Sequence, residues 1–287
     1  MIKKINQAAS ILGLVLCAVL AYVFWKAGLF DSKEALTSCI SRFGWAGPAV
    51  FITFQAVQVV IPILPFFIAA TFCGLAFEGS ITKQLPVFLI VILIVIVGHF
   101  IWMTVLYGLA GAYSGSNPME VVKHYGPAYL TAVGTMSSAA TLAVALRCAQ
   151  KSSVLRRDMV DFGIPLFANI HLCGSVLTEV FFVMTVSQVL YGKLPEPLTM
   201  VLFCLLLGIF AVGAPGVPGG TVMASLGLII SVLGFDDTGT GLMMTIFALQ
   251  DSFGTACNVT GDGALTLMLT GYAKKHNIHE APRSAGL

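Results

Sequence analysis

Residues 251–263 read Asp-Ser-Phe-Gly-Thr-Ala-Cys-Asn-Val-Thr-Gly-Asp-Gly, inside an apolar stretch, residues 242–272, long enough to cross a bilayer. A charge at the bilayer centre costs about 2.5–3.5 kcal/mol even on the lenient insertion scale, so two aspartates in one span need partners. Asp251 and Asp262 lie eleven residues apart, about three helical turns, and a regular helix would point them in similar directions. Cations are the natural partners, because carboxylate and carbonyl oxygens are hard ligands. The run Asn258-Val259-Thr260-Gly261-Asp262-Gly263 has two glycines and short polar side chains, and it predicts a local unwinding that turns backbone carbonyls toward an ion.

Toward the N-terminus the chain repeats a theme. Residues 198–234 hold two half-length apolar segments flanking Gly213-Ala214-Pro215-Gly216-Val217-Pro218-Gly219-Gly220. Residues 162–190 form a span interrupted by Asn169, His171, Ser175 and Glu179. Residues 117–149 are again two apolar halves, parted by Thr135-Met136-Ser137-Ser138-Ala139-Ala140-Thr141. The order is hairpin, interrupted span, hairpin, interrupted span, which is an internal repeat of inverted topology. Short, broken apolar segments at corresponding positions point to a transporter binding site. Backbone groups freed at such breaks must line a cavity or be buried in protein, since lipid offers them nothing.

Composition sets the same class. The chain has 287 residues, 57% apolar and 10% charged, against roughly 25% charged in a soluble domain. The expected fold is an all-α polytopic membrane protein. A net charge of +2 excludes a nucleic-acid footprint. The seven cysteines are scattered without CxxC spacing, so no structural metal or disulfide framework is expected. No nucleophile–base pair stands out, which speaks against an enzyme, and no cofactor is called for. Lys3 and Lys4 precede a span over residues 8–27 and hold the N-terminus in the cytoplasm.

Three of these motifs carry a resemblance. Residues 131–142, Gly216-Val217-Pro218-Gly219-Gly220 and Asn258-Val259-Thr260-Gly261-Asp262 resemble signature motifs of the dicarboxylate/amino acid:cation symporters, which include the glutamate transporters. The resemblance covers about residues 66–278 and implies a bundle with two re-entrant helical hairpins, lacking the first four family helices. It implies a cell-membrane symporter that moves an amino acid with Na+ by an elevator-like displacement. The implied substrate site is Ser137, Ser138, Ser175, Val217, Gly219, Asp251, Gly254, Thr255 and Asn258, with Asp251 taking the amino group. The implied Na+ ligands are Asn258 and Asp262, with Phe167 and His171. A homotrimer is implied as well.

Two departures matter. Where the family has Asn-Met-Asp-Gly-Thr, this chain has His171-Leu172-Cys173-Gly174-Ser175, which opens H+ coupling through His171 and Cys173 as an alternative at one ion site. Gly254 stands where acidic-substrate members place arginine, which favours a small neutral amino acid. Residues 1–65 resemble instead the start of a DedA/SNARE-associated membrane protein: an anchor, then a Pro-broken hairpin arm over 45–77 bent at Ile61-Pro62-Ile63-Leu64-Pro65. This reading makes 1–65 a fused arm, 66–112 partial scaffold, 113–278 the transport core and 279–287 a tail. Both termini are placed in the cytoplasm and Lys83 outside. Two rivals stay open: an inactive fragment of a transporter, and a lipid-handling membrane protein.

Overall fold

A computed structural model describes residues 80–280 except Pro215, together with Lys26. The DedA-like arm, the bend at residues 61–65 and the 45–77 hairpin lie outside the described residues. The chain divides between Phe66 and Phe67, and the helices below belong to the second unit.

In chain order they are α1 (Ser80–Ser114), α2 (Met119–Val122), α3 (Gly126–Thr135), α4 (Ser138–Ala149), α5 (Arg157–Ile170), α6 (Cys173–Tyr191), α7 (Pro197–Val212), α8 (Gly220–Ser231) and α9 (Asp237–Lys275). No strand occurs among the described residues. The helix α1 is long and apolar enough to cross a membrane over Pro86–Ser114, with only 22% of its most apolar window buried. Its outer face shows Leu89, Ile90, Leu93, Val97, Phe100 and Ile101, and α7 shows Leu198, Val201, Leu205 and Ile209. Continuous apolar faces of this size are tolerated when lipid covers them.

The helices α3 and α4 form the first hairpin, and α7 and α8 the second. Met136 turns the first tip with φ of 51°, and Gly219 precedes α8 with φ of 72°, a left-handed conformation that glycine adopts without strain. The pair α5 and α6 is one apolar run broken at His171 and Leu172, both of extended or irregular backbone.

The long helix α9 is the axis. Its first half, Leu242 to Phe247, sits in an apolar cluster with Phe182, Val183 and Val186 of α6 and Val222 and Ile229 of α8. Its second half, with Val259 and Leu267, sits in another cluster with Tyr125, Ala132 of α3, Ala145 of α4 and Ile164 of α5. Asp251 and Thr255 fall in the gap between the two, where α9 is polar and buried.

One expectation fails here. The run Asn258 to Gly263 does not unwind, and α9 is continuous from Asp237 to Lys275. Its glycines serve approach instead. A Cβ on Gly263 would stand 2.6 Å from the Tyr107 hydroxyl and 2.8 Å from Tyr125, and one on Gly261 would stand 2.5 Å from the His171 ring. The carbonyl of Thr260 accepts a hydrogen bond from Tyr107 at 2.8 Å, so it is engaged by α1.

Candidate functional site

Three helix N-termini converge between the two clusters: those of α4, α6 and α8. Each leaves amide groups without an intrahelical acceptor, and each finds one locally. At α4, Ser137 Oγ accepts from the amide of Ala140 at 3.2 Å and donates to the carbonyl of Gly216 at 2.7 Å. The same carbonyl accepts from the amide of Ala139 at 3.3 Å, which joins the two hairpin tips. At α6, Asn258 Oδ1 accepts from the amides of Gly174 and Ser175 at 2.7 and 3.3 Å, while its Nδ2 donates to Ser175 Oγ at 2.9 Å. At α8, Asp251 Oδ2 accepts from the amide of Gly219 at 2.7 Å.

These contacts enclose a small cavity lined by Met136, Ser138, Leu172, Ser175, Gly216, Val217, Thr221, Asp251, Thr255 and Asn258. Its volume is about 10 Å³, room for about one water molecule. No lining residue is cationic. The electrostatics come from the positive ends of three helices and the single carboxylate of Asp251.

Asp262 has a different neighbourhood. Eleven residues on from Asp251 the axis has risen about 16 Å, since each residue adds about 1.5 Å. Asp262 does not line the cavity, and its Oδ1 stands 3.0 Å from His171 Nδ1. Its Oδ2 is buried without a partner among the described residues. The two aspartates therefore have separate neighbours, Asp251 at the cavity and Asp262 against His171.

The family model of the sodium:dicarboxylate symporters matches residues 6–272 of this chain. The chain belongs to that family. Among the chain's relatives, human excitatory amino acid transporter 2 is 26% identical over 216 residues, covering 74% of this chain and 37% of its own length. The mouse excitatory amino acid transporter 3 is 26% identical over 275 residues, covering 94% and 50%. The protein glt-4 of Caenorhabditis elegans is 26% identical over 279 residues, covering 93% and 52%. The chain thus spans between about a third and a half of the length of these relatives. The family is one of integral membrane transporters, not enzymes. Its model begins at residue 6, so the stretch read as DedA-like falls inside the symporter family's own match, and a second family is not needed to account for it.

Of the residues singled out from the sequence, Ser138, Ser175, Val217, Asp251, Thr255 and Asn258 line the cavity. Ser137 and Gly219 stand behind them in the tip contacts. Gly254 does not line it, because it faces α6: a Cβ there would touch Ser175 at 3.4 Å. The Phe167 carbonyl accepts the backbone amide of His171 at 2.8 Å. Cys173 and Cys257 are neighbours, with sulfurs 4.0 Å apart. Met136, Leu172, Gly216 and Thr221 line the cavity too: the first three fall inside the quoted motifs without a role of their own, and Thr221, one residue past its motif, was missed.

On α1, His99 is buried, its Nε2 3.0 Å from the Gly174 carbonyl and 3.2 Å from Thr178 Oγ1. Glu179 is fully buried within α6 and accepts the hydroxyl hydrogen of Ser225 from α8. Gly174 serves close approach, its absent Cβ falling 2.4 Å from the Gly254 carbonyl, whereas Gly134 has nothing within 4 Å.

Proposed function

We propose that this chain carries the substrate and ion core of a secondary transporter that moves an α-amino acid together with Na+ across the cell membrane. The observation that carries the reading is the convergence of the α4, α6 and α8 N-termini on one cavity beside a buried aspartate. Helix N-termini favour a carboxylate, and Asp251 is placed to receive an ammonium group. In the closed arrangement the internal acceptors Gly216 O, Asn258 Oδ1 and Asp251 Oδ2 hold these amides. A substrate carboxylate would take their place, and the ammonium would release Asp251 from Gly219. The two tips are joined across the cavity by the Ser137 and Ala139 contacts to the Gly216 carbonyl, and withdrawal of the second tip would open it to a substrate. That motion couples binding to gating, because substrate and ion bind one arrangement better than the other.

With glycine at 254 and no cation on the lining, a side-chain carboxylate has nothing to pair with, and a small neutral amino acid fits better than an acidic one. Asp262 Oδ2, buried without a partner among the described residues, supports a seat for the coupled ion there. The orientation supported by Lys3 and Lys4 at one end and Lys274 and Lys275 at the other puts both termini in the cytoplasm. The family resemblance carries the expectation of a homotrimer.

The test is thermal stabilisation of the purified chain by a panel of amino acids in NaCl and in KCl. A neutral amino acid should raise Tm in NaCl, and Asp251→Asn should abolish that rise while leaving the response to Na+ alone. No amino acid raising Tm under either salt would sink the reading.

A further inference from the structure

We propose that His171 is a built-in competitor for the cation seat at Asp262, so that the imidazole sets how much Na+ this chain needs. The proposal rests on the reading of the chain as sodium-coupled. Asp262 is 1% exposed, and an isolated buried carboxylate demands a positive or hydrogen-donating partner. The chain supplies one itself: His171 Nδ1 lies 3.0 Å from Oδ1. An ionised carboxylate only accepts, so Nδ1 is the donor.

The ring is seated by construction. His171 is the residue at the break between α5 and α6, where its backbone is extended and its amide is held by the Phe167 carbonyl. Its Cε1 lies so close to α9 that a Cβ on Gly261 would stand 2.5 Å away. Gly261 therefore makes the space that the ring fills, and Leu106 of α1 closes the same spot, 3.3 Å from that Cβ position. Only Oδ2 is left without a partner. A hard cation needs several oxygens around it. It gains the second oxygen of Asp262 only if the imidazole leaves, and imidazole is a nitrogen ligand poorly matched to an alkali cation. An ion arriving at this seat thus has to break a charge-assisted hydrogen bond that a side chain without a ring would not offer.

The experiment titrates Na+ against Tm for the full chain in detergent, without amino acid, with KCl holding ionic strength constant. His171→Asn keeps a polar side chain but removes the ring, and Gly261→Ala keeps His171 but crowds the ring out. Both should lower the half-saturating Na+ concentration, His171→Asn by about 10- to 100-fold, the range expected for a lost hydrogen bond to a charged group. Adding Asp262→Asn to His171→Asn should erase the gain. If His171→Asn leaves the half-saturating concentration unchanged, the ring does not compete; if it raises it, His171 is itself an ion ligand; either result overturns the proposal. If His171→Asn does not fold, Gly261→Ala decides alone by the same signs. Sodium stabilisation of His171→Asn but not of the parent would uphold the competition and instead count against sodium coupling of the parent. No response in the parent or in any variant would overturn the proposal, and amino-acid stabilisation, measured separately, would still judge the transport reading.

Discussion

Gly174 shows how much one missing methyl group decides. It sits at the start of α6, its amide held by Asn258, and a Cβ in its place would stand 2.4 Å from the Gly254 carbonyl and 2.6 Å from the Cys257 Cβ. Neither neighbour is the free end of a flexible side chain, so the helices α6 and α9 would have to part. Between helices in a bilayer, small residues allow the close packing that replaces the hydrophobic drive available in water. Gly174→Ala should therefore destabilise the chain by about 1–3 kcal/mol, the usual cost of overpacking, and lower Tm visibly. Gly134→Ala should not, because nothing lies within 4 Å of that position. Equal melting of the two variants would contradict the packing argument. A sequence cannot distinguish these two glycines, since each reads as a small residue beside a break.

At the scale of elements, α9 depends on how it begins. Asp236 caps it: Oδ1 accepts from the Gly239 amide at 2.8 Å and from the Tyr191 hydroxyl at 2.7 Å. A Cβ at Gly239 would stand 2.1 Å from that hydroxyl, so a larger residue there would push Tyr191 off Asp236. The Gly239 amide first, and the Tyr191 hydroxyl next, hold the Asp236 carboxyl below its ordinary range. A carboxyl with a depressed folded-state pKa contributes stability above its unfolded pKa of about 3.9, and loses it as pH falls through the lower folded value. Asp236→Ala should cost about 0.5–2 kcal/mol at pH 7, and the Tm difference from the parent should shrink as pH is taken below about 3.9. A difference that stays constant with pH would show that the carboxylate charge is not what caps the helix. The same scale explains the failed expectation at Asn258 to Gly263. Paired glycines inside an apolar span signal either an unwound turn or a close approach, and only the positions of Tyr107, Tyr125 and His171 decide between them.

At the scale of the whole molecule, what matters is that the two hairpin tips meet. Gly216 of the second lies against Ser138 of the first, with a Cβ built at 216 falling 3.6 Å from the Ser138 Cβ. That is within the Cβ–Cβ range of a disulfide, about 3.5–4.5 Å. Ser138→Cys combined with Gly216→Cys, in a background with the native cysteines replaced, should cross-link on mild oxidation. The cross-linked protein should lose amino-acid stabilisation and regain it on reduction. A cross-linked protein that still responds to amino acids would mean that the tips need not separate for substrate to bind.

The sequence alone determined the class of this protein and the positions of its breaks. Apolar runs report burial in lipid directly, and Gly, Pro and hydroxyl clusters interrupt them at the places where α3 gives way to α4, α5 to α6 and α7 to α8. It also singled out Asp251 and Asn258, because a polar group in hydrocarbon has few purposes. Only the tertiary structure decided which groups satisfy which. Asn258 holds the start of α6, Asp251 holds the second hairpin tip, and Asp262 holds His171 from a residue 91 positions away. Hydrogen-bond partners of that kind are set by how helices cross in space, and no spacing along one helix encodes the crossing.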